Sequence, residues 1–89
     1  MSTVTRVRTL PFQAHGEFLA EWQVTGVGRP ASVVAAITEV DGGGQPFLGA
    51  ARMTVHNVAP RDNGELHLWC QVEWPVDISV RLDVLIVNN

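Results

Sequence analysis

The chain has no lysine, no tyrosine and only one cysteine, and no apolar stretch approaches the length of a membrane-spanning helix. Without lysine, its positive charge rests on six arginines, scattered from Arg6 to Arg81 and outnumbered by nine acids. No basic patch is left for nucleic acid or for an acidic membrane surface. A lone Cys70 excludes an internal disulfide and a zinc site of paired cysteines. The first residues, Met1 to Arg6, lack the apolar core of a signal peptide, and the run of about 20 apolar residues needed for a span is missing. The expectation is a soluble protein, cytoplasmic unless released by a non-standard route.

What is present is β-patterning. Leu66, Leu68, Cys70, Val72 and Trp74 alternate with Glu65, His67, Trp69, Gln71 and Glu73, the period of two that a half-buried strand requires. Ile78, Val80, Leu82, Val84 and Ile86 repeat the pattern against Asp77, Ser79, Arg81 and Asp83. Pro75 has no amide hydrogen to give a ladder, so it belongs between these strands. The spacing predicts that the two form an antiparallel pair.

Upstream, residues 3–10 read as a first strand that Pro11 ends, with Arg6 and Arg8 marking an edge or a wet face. Residues 11–16 read as a short polar loop. Phe18, Ala20, Trp22 and Val24 then alternate with Glu17, Glu21 and Gln23, interrupted by Leu19, before a turn at Gly26, Gly28 and Pro30. Residues 31–40 differ in kind: Val33, Val34, Ala35, Ala36 and Ile37 run almost continuously apolar, which suits a strand covered on both faces. A short buried helix is the competing reading, disfavoured by the β-branched residues and flanking glycines. In so small a domain the second cover is expected from another subunit. Residues 41–46, with three consecutive glycines, read as a hairpin loop, since a phosphate cradle would need a following helix and usually a lysine. Residues 47–58 read as a fourth main strand, with Ala51, Met53 and Val55 inward and Arg52, Thr54 and His56 outward. Together these elements predict an all-β fold, a six-stranded antiparallel β-sandwich in one domain over residues 1–89. A chain of this length buries only roughly 60 to 65% of its unfolded surface, which favours self-association.

Enzyme chemistry finds little support. His15, His56 and His67 lack the spacing of a metal-binding pair, and Ser32 and Ser79 lie within strands rather than at the sharp turn of a nucleophile elbow. No catalytic residue, metal or cofactor is expected. Binding fits better. A sugar is held when an aromatic ring covers its apolar face while arginine, carboxylate and amide groups grip its hydroxyls. Of the three tryptophans, Trp74, at the junction of the last two strands, is the best placed for this, with core packing as the alternative role.

The order Arg29-Pro30, Val33 to Asp41 (VVAAITEVD), a glycine turn, Ala51-Arg52-Met53, Asn57-Val58-Ala59-Pro60, Gly64-Glu65-Leu66, and Cys70 through Trp74 to a final apolar strand resembles the H-type lectin family. The likeness covers roughly residues 29 to 89. It implies a six-stranded sandwich that forms a homotrimer and binds N-acetylgalactosamine or galactose between subunits. Trp74 matches the family's sugar-binding tryptophan and Arg52 its arginine, with Thr54 the alternative across a small insertion. This chain has Pro75 where a polar residue is usual, no tyrosine, no tryptophan in its last strand, and Gln13 and His15 where the family's N-terminal loop supplies an aspartate. Asp77 is added here from its position in the turn, not from the family. The expected site is thus Trp74, Arg52, Asp77, His15 and Gln13, the expected ligand a glycan, and the alternative a structural subunit that assembles without binding sugar.

Overall fold

Strict alternation places Leu66, Leu68, Cys70 and Val72 on one face of a strand, and Val80, Leu82, Val84 and Ile86 on one face of another. All eight are at most 1% exposed. These two strands are the centres of the two sheets in the computed structural model, which describes residues 3–25 and 27–88. The described elements are β1 (Thr3–Arg8), β2 (Phe12–Ala14), β3 (Gly16–Gln23), β4 (Ser32–Glu39), β5 (Arg52–Pro60), a 3₁₀ turn at Asp62–Gly64, β6 (Glu65–Glu73) and β7 (Ile78–Asn88). In one sheet β7 has β4 along one edge and β1 followed by β2 along the other, and in the second sheet β6 lies between β3 and β5. Every pairing is antiparallel. Leu66, Leu68 and Cys70 of β6 and Leu82, Val84 and Ile86 of β7 belong to one apolar cluster, joined by Val27 and Ala31 and flanked by Val7, Phe12, Phe18, Val33 and Ile37, while Val72 and Val80 form a second with Ala14.

The all-β reading and the inward faces of the last two strands agree with the structure, but their pairing does not. β6 and β7 lie in different sheets. Paired side by side, their apolar faces would point the same way with nothing opposite. In stacked sheets each covers the other, and the core forms between them. The segment holding Trp74 and Pro75 is therefore a crossing between sheets, where an absent amide hydrogen costs no ladder bond.

The six expected strands become seven because the first edge is divided. Thr9 bridges the division, its amide donating to the Leu82 carbonyl at 3.0 Å and its Oγ1 accepting from the Leu82 amide at 3.0 Å. After Pro11 the chain rejoins β7, with Phe12 opposite Val80 and Ala14 opposite Ile78, so the region read as a polar loop includes a short strand. Gly16, at φ +69°, then turns the chain into the other sheet. Residues 41–46 close a small loop through a Val40–Pro46 bridge. The Asp41 carboxylate accepts from the amides of Gly43 (2.8 Å) and Gln45 (3.0 Å), a side-chain-stabilised turn. It is not a hairpin between consecutive strands, because β4 and β5 belong to different sheets, and β5 begins at Arg52 rather than at residue 47. Of the expected turn at Gly26, Gly28 and Pro30, Gly26 lies outside the described residues.

β4 is an edge strand. Val33, Ala35 and Ile37 face the core while Ser32, Val34 and Ala36 face out, and Val34 is 67% exposed. Its second face is uncovered within one chain.

On the outer face of β7, Asp83 receives hydrogen bonds from Arg8 Nε (2.5 Å) and Arg81 Nε (3.1 Å). Burial alone would push its carboxyl up, but the hydrogen bond and charge of Arg8, aided by Arg81, outweigh that and hold it below its ordinary value of 3.8. A lowered carboxylate pKa contributes stability that is complete above the unfolded value and is lost as pH falls through the folded one. Asp83→Asn is therefore expected to be less stable than the parent at pH 6 and to converge on it as pH falls below the ordinary carboxylate range, as chemical denaturation at each pH will show. A constant difference between the two across that range would refute it.

Candidate functional site

The two sheets expose loops at both ends, and all five expected site residues fall at the same end. It is formed by the β2–β3 corner, the 40–51 segment, the start of β5 and the 74–77 crossing. Gln13, opposite Ser79 on β7, donates its side-chain amide to Ser79 Oγ. His15, at the corner, meets Asp77 of the crossing through Nδ1 and Oδ1 at 2.5 Å, and both side chains are about half exposed. The Trp74 amide donates to the Val72 carbonyl at 3.0 Å, which tightens the exit from β6 and leaves Trp74 40% exposed. Arg52 opens β5 opposite Glu73, the residue before Trp74.

The residues form two groups. His15 with Asp77 and Gln13 with Ser79 form two hydrogen-bonded pairs, side by side where β2 meets the start of β7. Arg52 opens β5 in the other sheet and Trp74 directly follows the end of β6, and no side-chain hydrogen bond or ion pair joins Arg52 to another described residue. Thr54 also faces outward but lies opposite Gln71, one outward position further from the end. The group can offer carboxylate, imidazole, amide and guanidinium contacts beside an exposed indole.

The other histidines are elsewhere. His56 Nε2 pairs with Gln71 Oε1 at 2.8 Å, and His67 Nε2 with Glu65 Oε2 at 3.2 Å, both on the outer face of the β3–β6–β5 sheet. Among the described residues no three His, Cys, Asp or Glu side chains are grouped to hold a metal ion. Cys70 is fully buried on the inner face of β6, and burial pushes its thiol up from 9.0, so at neutral pH it is a protonated core side chain.

Two features escape sequence reasoning. The first is a crevice of about 330 Å³ between the β4 and β5 edges, walled by Ile37, Phe47, Leu48 and Met53, with Thr38 and Glu39 as its polar groups. Glu39 pairs with Val80 and so occupies an inward position, and its carboxylate lies where a side chain at Gly49 would collide. Reading residues 47–51 as strand hid this crevice, although Gly49 within the run was a signal of irregular backbone. The second is Trp69 on the outer face of β6, opposite Leu19 and with the His56 ring 4.6 Å from its own. A β-bulge between Val55 and Asn57 delivers that histidine, and a bulge is not visible in alternation. Leu19, where the alternation of its strand fails, was the available sign of an apolar outer face.

No protein-family model matches this chain, and neither does any curated protein or solved structure.

Proposed function

We propose that this protein is a non-enzymatic carbohydrate-binding β-sandwich that works as a homo-oligomer, with its sugar site at the sandwich end that carries Trp74. The observation supporting this reading most directly is the half-exposed His15–Asp77 pair at the same end as the exposed indole of Trp74. A pyranose needs an aromatic plane for its apolar face and charged or amide groups for its hydroxyls. In this reading Trp74 supplies the plane, Asp77 and His15 grip one edge of the sugar, Gln13 supports them through Ser79, and Arg52 reaches the ligand from the other sheet. The resemblance to H-type lectins points to N-acetylgalactosamine or galactose, to a homotrimer, and to a six-stranded count in which β1 and β2 act as one divided edge. It also implies a site at a subunit boundary.

Trp74→Ala tests the reading. The variant is expected to keep its oligomeric mass and its melting temperature to within a few degrees while losing binding on a glycan array where the parent scores. A parent protein that is correctly assembled and binds no glycan would sink it. The alternative, an assembly subunit without a sugar ligand, is favoured by the apolar rows on both outer sheet faces, and it predicts an array with no hits for parent and variant alike.

A further inference from the structure

The outer faces of the two sheets carry opposite charge around apolar centres. On the β1–β7–β4 sheet, partners in register place Val4, Arg6 and Arg8 beside Val87, Leu85 and Asp83, and these beside Ser32, Val34 and Ala36. Three arginines, Arg6, Arg8 and Arg81, stand there against one acid, Asp83. Both Arg8 and Arg81 are committed to that acid, so among the described residues Arg6 is the cation of this face that has no acid partner. Leu85, Val34 and Ala36, with Arg6, Arg8 and Asp83, line a hollow of about 260 Å³, more than the volume of a leucine side chain.

On the β3–β6–β5 sheet, Glu17, Leu19 and Glu21 lie beside Gln71, Trp69 and His67. Among the described residues four glutamates, Glu17, Glu21, Glu65 and Glu73, stand there against two arginines, Arg52 and Arg61, the latter beside Glu65. At their centre Leu19 projects with 76% of its surface exposed, next to Trp69 at 43%.

We infer that the basic face of one copy of this chain docks on the acidic face of another, with Leu19 entering the hollow between Arg6 and Val34 while Glu17 and Glu21 meet the arginines. Charge decides the occupant. A two-fold contact of either face with itself sets arginine against arginine or glutamate against glutamate, which opposes association, whereas the unlike pairing is attractive and desolvates both apolar centres. Such a contact joins different surfaces on the two partners, so each bound copy still offers one free face of each kind. Association therefore continues into a closed ring or a chain. The inference shares with the proposed function only its self-association and involves none of the sugar-site residues except the flanking Arg52. A protein that associates this way yet binds no glycan removes the lectin reading alone, and a glycan-binding monomer removes this one.

The test is sedimentation velocity and light scattering on parent, Val34→Glu, Leu19→Glu and their equimolar mixture. The parent is expected to associate beyond a dimer, and less so at 1 M salt than at about 0.1 M, because exposed charges are screened. Each variant alone should be monomeric with unchanged circular dichroism. The mixture should stop at a dimer, because only the intact basic face of Leu19→Glu and the intact acidic face of Val34→Glu can meet. Arg6→Glu provides a second basic-face variant at an exposed position. A monomeric parent, a single variant that keeps the parent's assembly, or a mixture that remains monomeric would each overturn the inference.

Discussion

Leu82→Ala is expected to destabilise the protein by about 3 to 5 kcal/mol, the upper part of the range for buried leucine truncations. Leu82 is 1% exposed at the middle of β7, in the cluster that holds Leu66, Leu68 and Cys70 of the opposite sheet. β7 hydrogen-bonds to β1, β2 and β4, so backbone around the lost side chain is pinned and cannot collapse far into the space. A domain of this size is held by only about 5 to 15 kcal/mol, so the loss is a large fraction of the whole. At about 4 to 8 °C per kcal/mol, the melting temperature falls by roughly 12 to 40 °C, and a weaker domain is unfolded outright at 37 °C. Leu48→Ala is the control, because Leu48 is fully exposed and its truncation should change stability by less than about 0.5 kcal/mol. Equal effects at the two positions would show that the facing strands β6 and β7 do not form the core.

The same two strands mark how far the sequence could be read. Alternation identified which side chains of β6 and β7 are buried, because a period of two assigns each residue to a face with no knowledge of its neighbours. It could not identify the neighbours. Two consecutive strands with one turn between them fit a hairpin and an inter-sheet crossing equally well, and what separates these is whether the apolar faces need each other as cover. The divided first edge was hidden for a related reason: Pro11 lacks a ladder donor and so reads as a strand end, but the return of Phe12 to β7 depends on β7 being long enough to accept a second partner. The near-continuous apolar run at 33–37 reads as a strand covered on both faces, but within a single chain β4 is an edge strand covered on one face, with Val34 exposed on the other; an apolar run does not encode which chain supplies its cover. At the candidate site, the common location of Gln13, His15, Arg52, Trp74 and Asp77 at one end follows from strand order. The His15–Asp77 contact depends on a corner and a crossing meeting in space, which spacing along the chain does not encode.

At the opposite end of the sandwich, Gly64→Ala is expected to cost roughly 3 to 5 kcal/mol, far more than an exposed turn glycine, because backbone strain and overpacking combine. Gly64 sits at φ +82°, following Asn63 at φ +66°, a left-handed stretch that closes the Asp62–Gly64 turn before β6. Its amide donates to the Val27 carbonyl at 3.0 Å and its carbonyl accepts from the Val24 amide at 2.7 Å, while the Val24 carbonyl accepts from the Val27 amide at 3.3 Å. These three bonds tie the β3 exit to the β6 entry. An added Cβ would lie 2.5 Å from the Val24 carbonyl oxygen and 2.9 Å from Gln23 Nε2. The oxygen is main chain and already part of the clamp, so it cannot yield without breaking a bond. Gly16 separates the two contributions: at φ +69° it has the same backbone requirement, but nothing lies within 4 Å of where its Cβ would stand. Gly16→Ala should therefore show the backbone cost alone, about 1 to 2 kcal/mol. Chemical denaturation of the two variants side by side is expected to differ by the steric contribution, and Gly64→Asn should recover little, because asparagine relieves the left-handed strain but not the collision. If Gly64→Ala costs no more than Gly16→Ala, the 24–27–64 clamp is not rigid and the far end of the sandwich is free to rearrange.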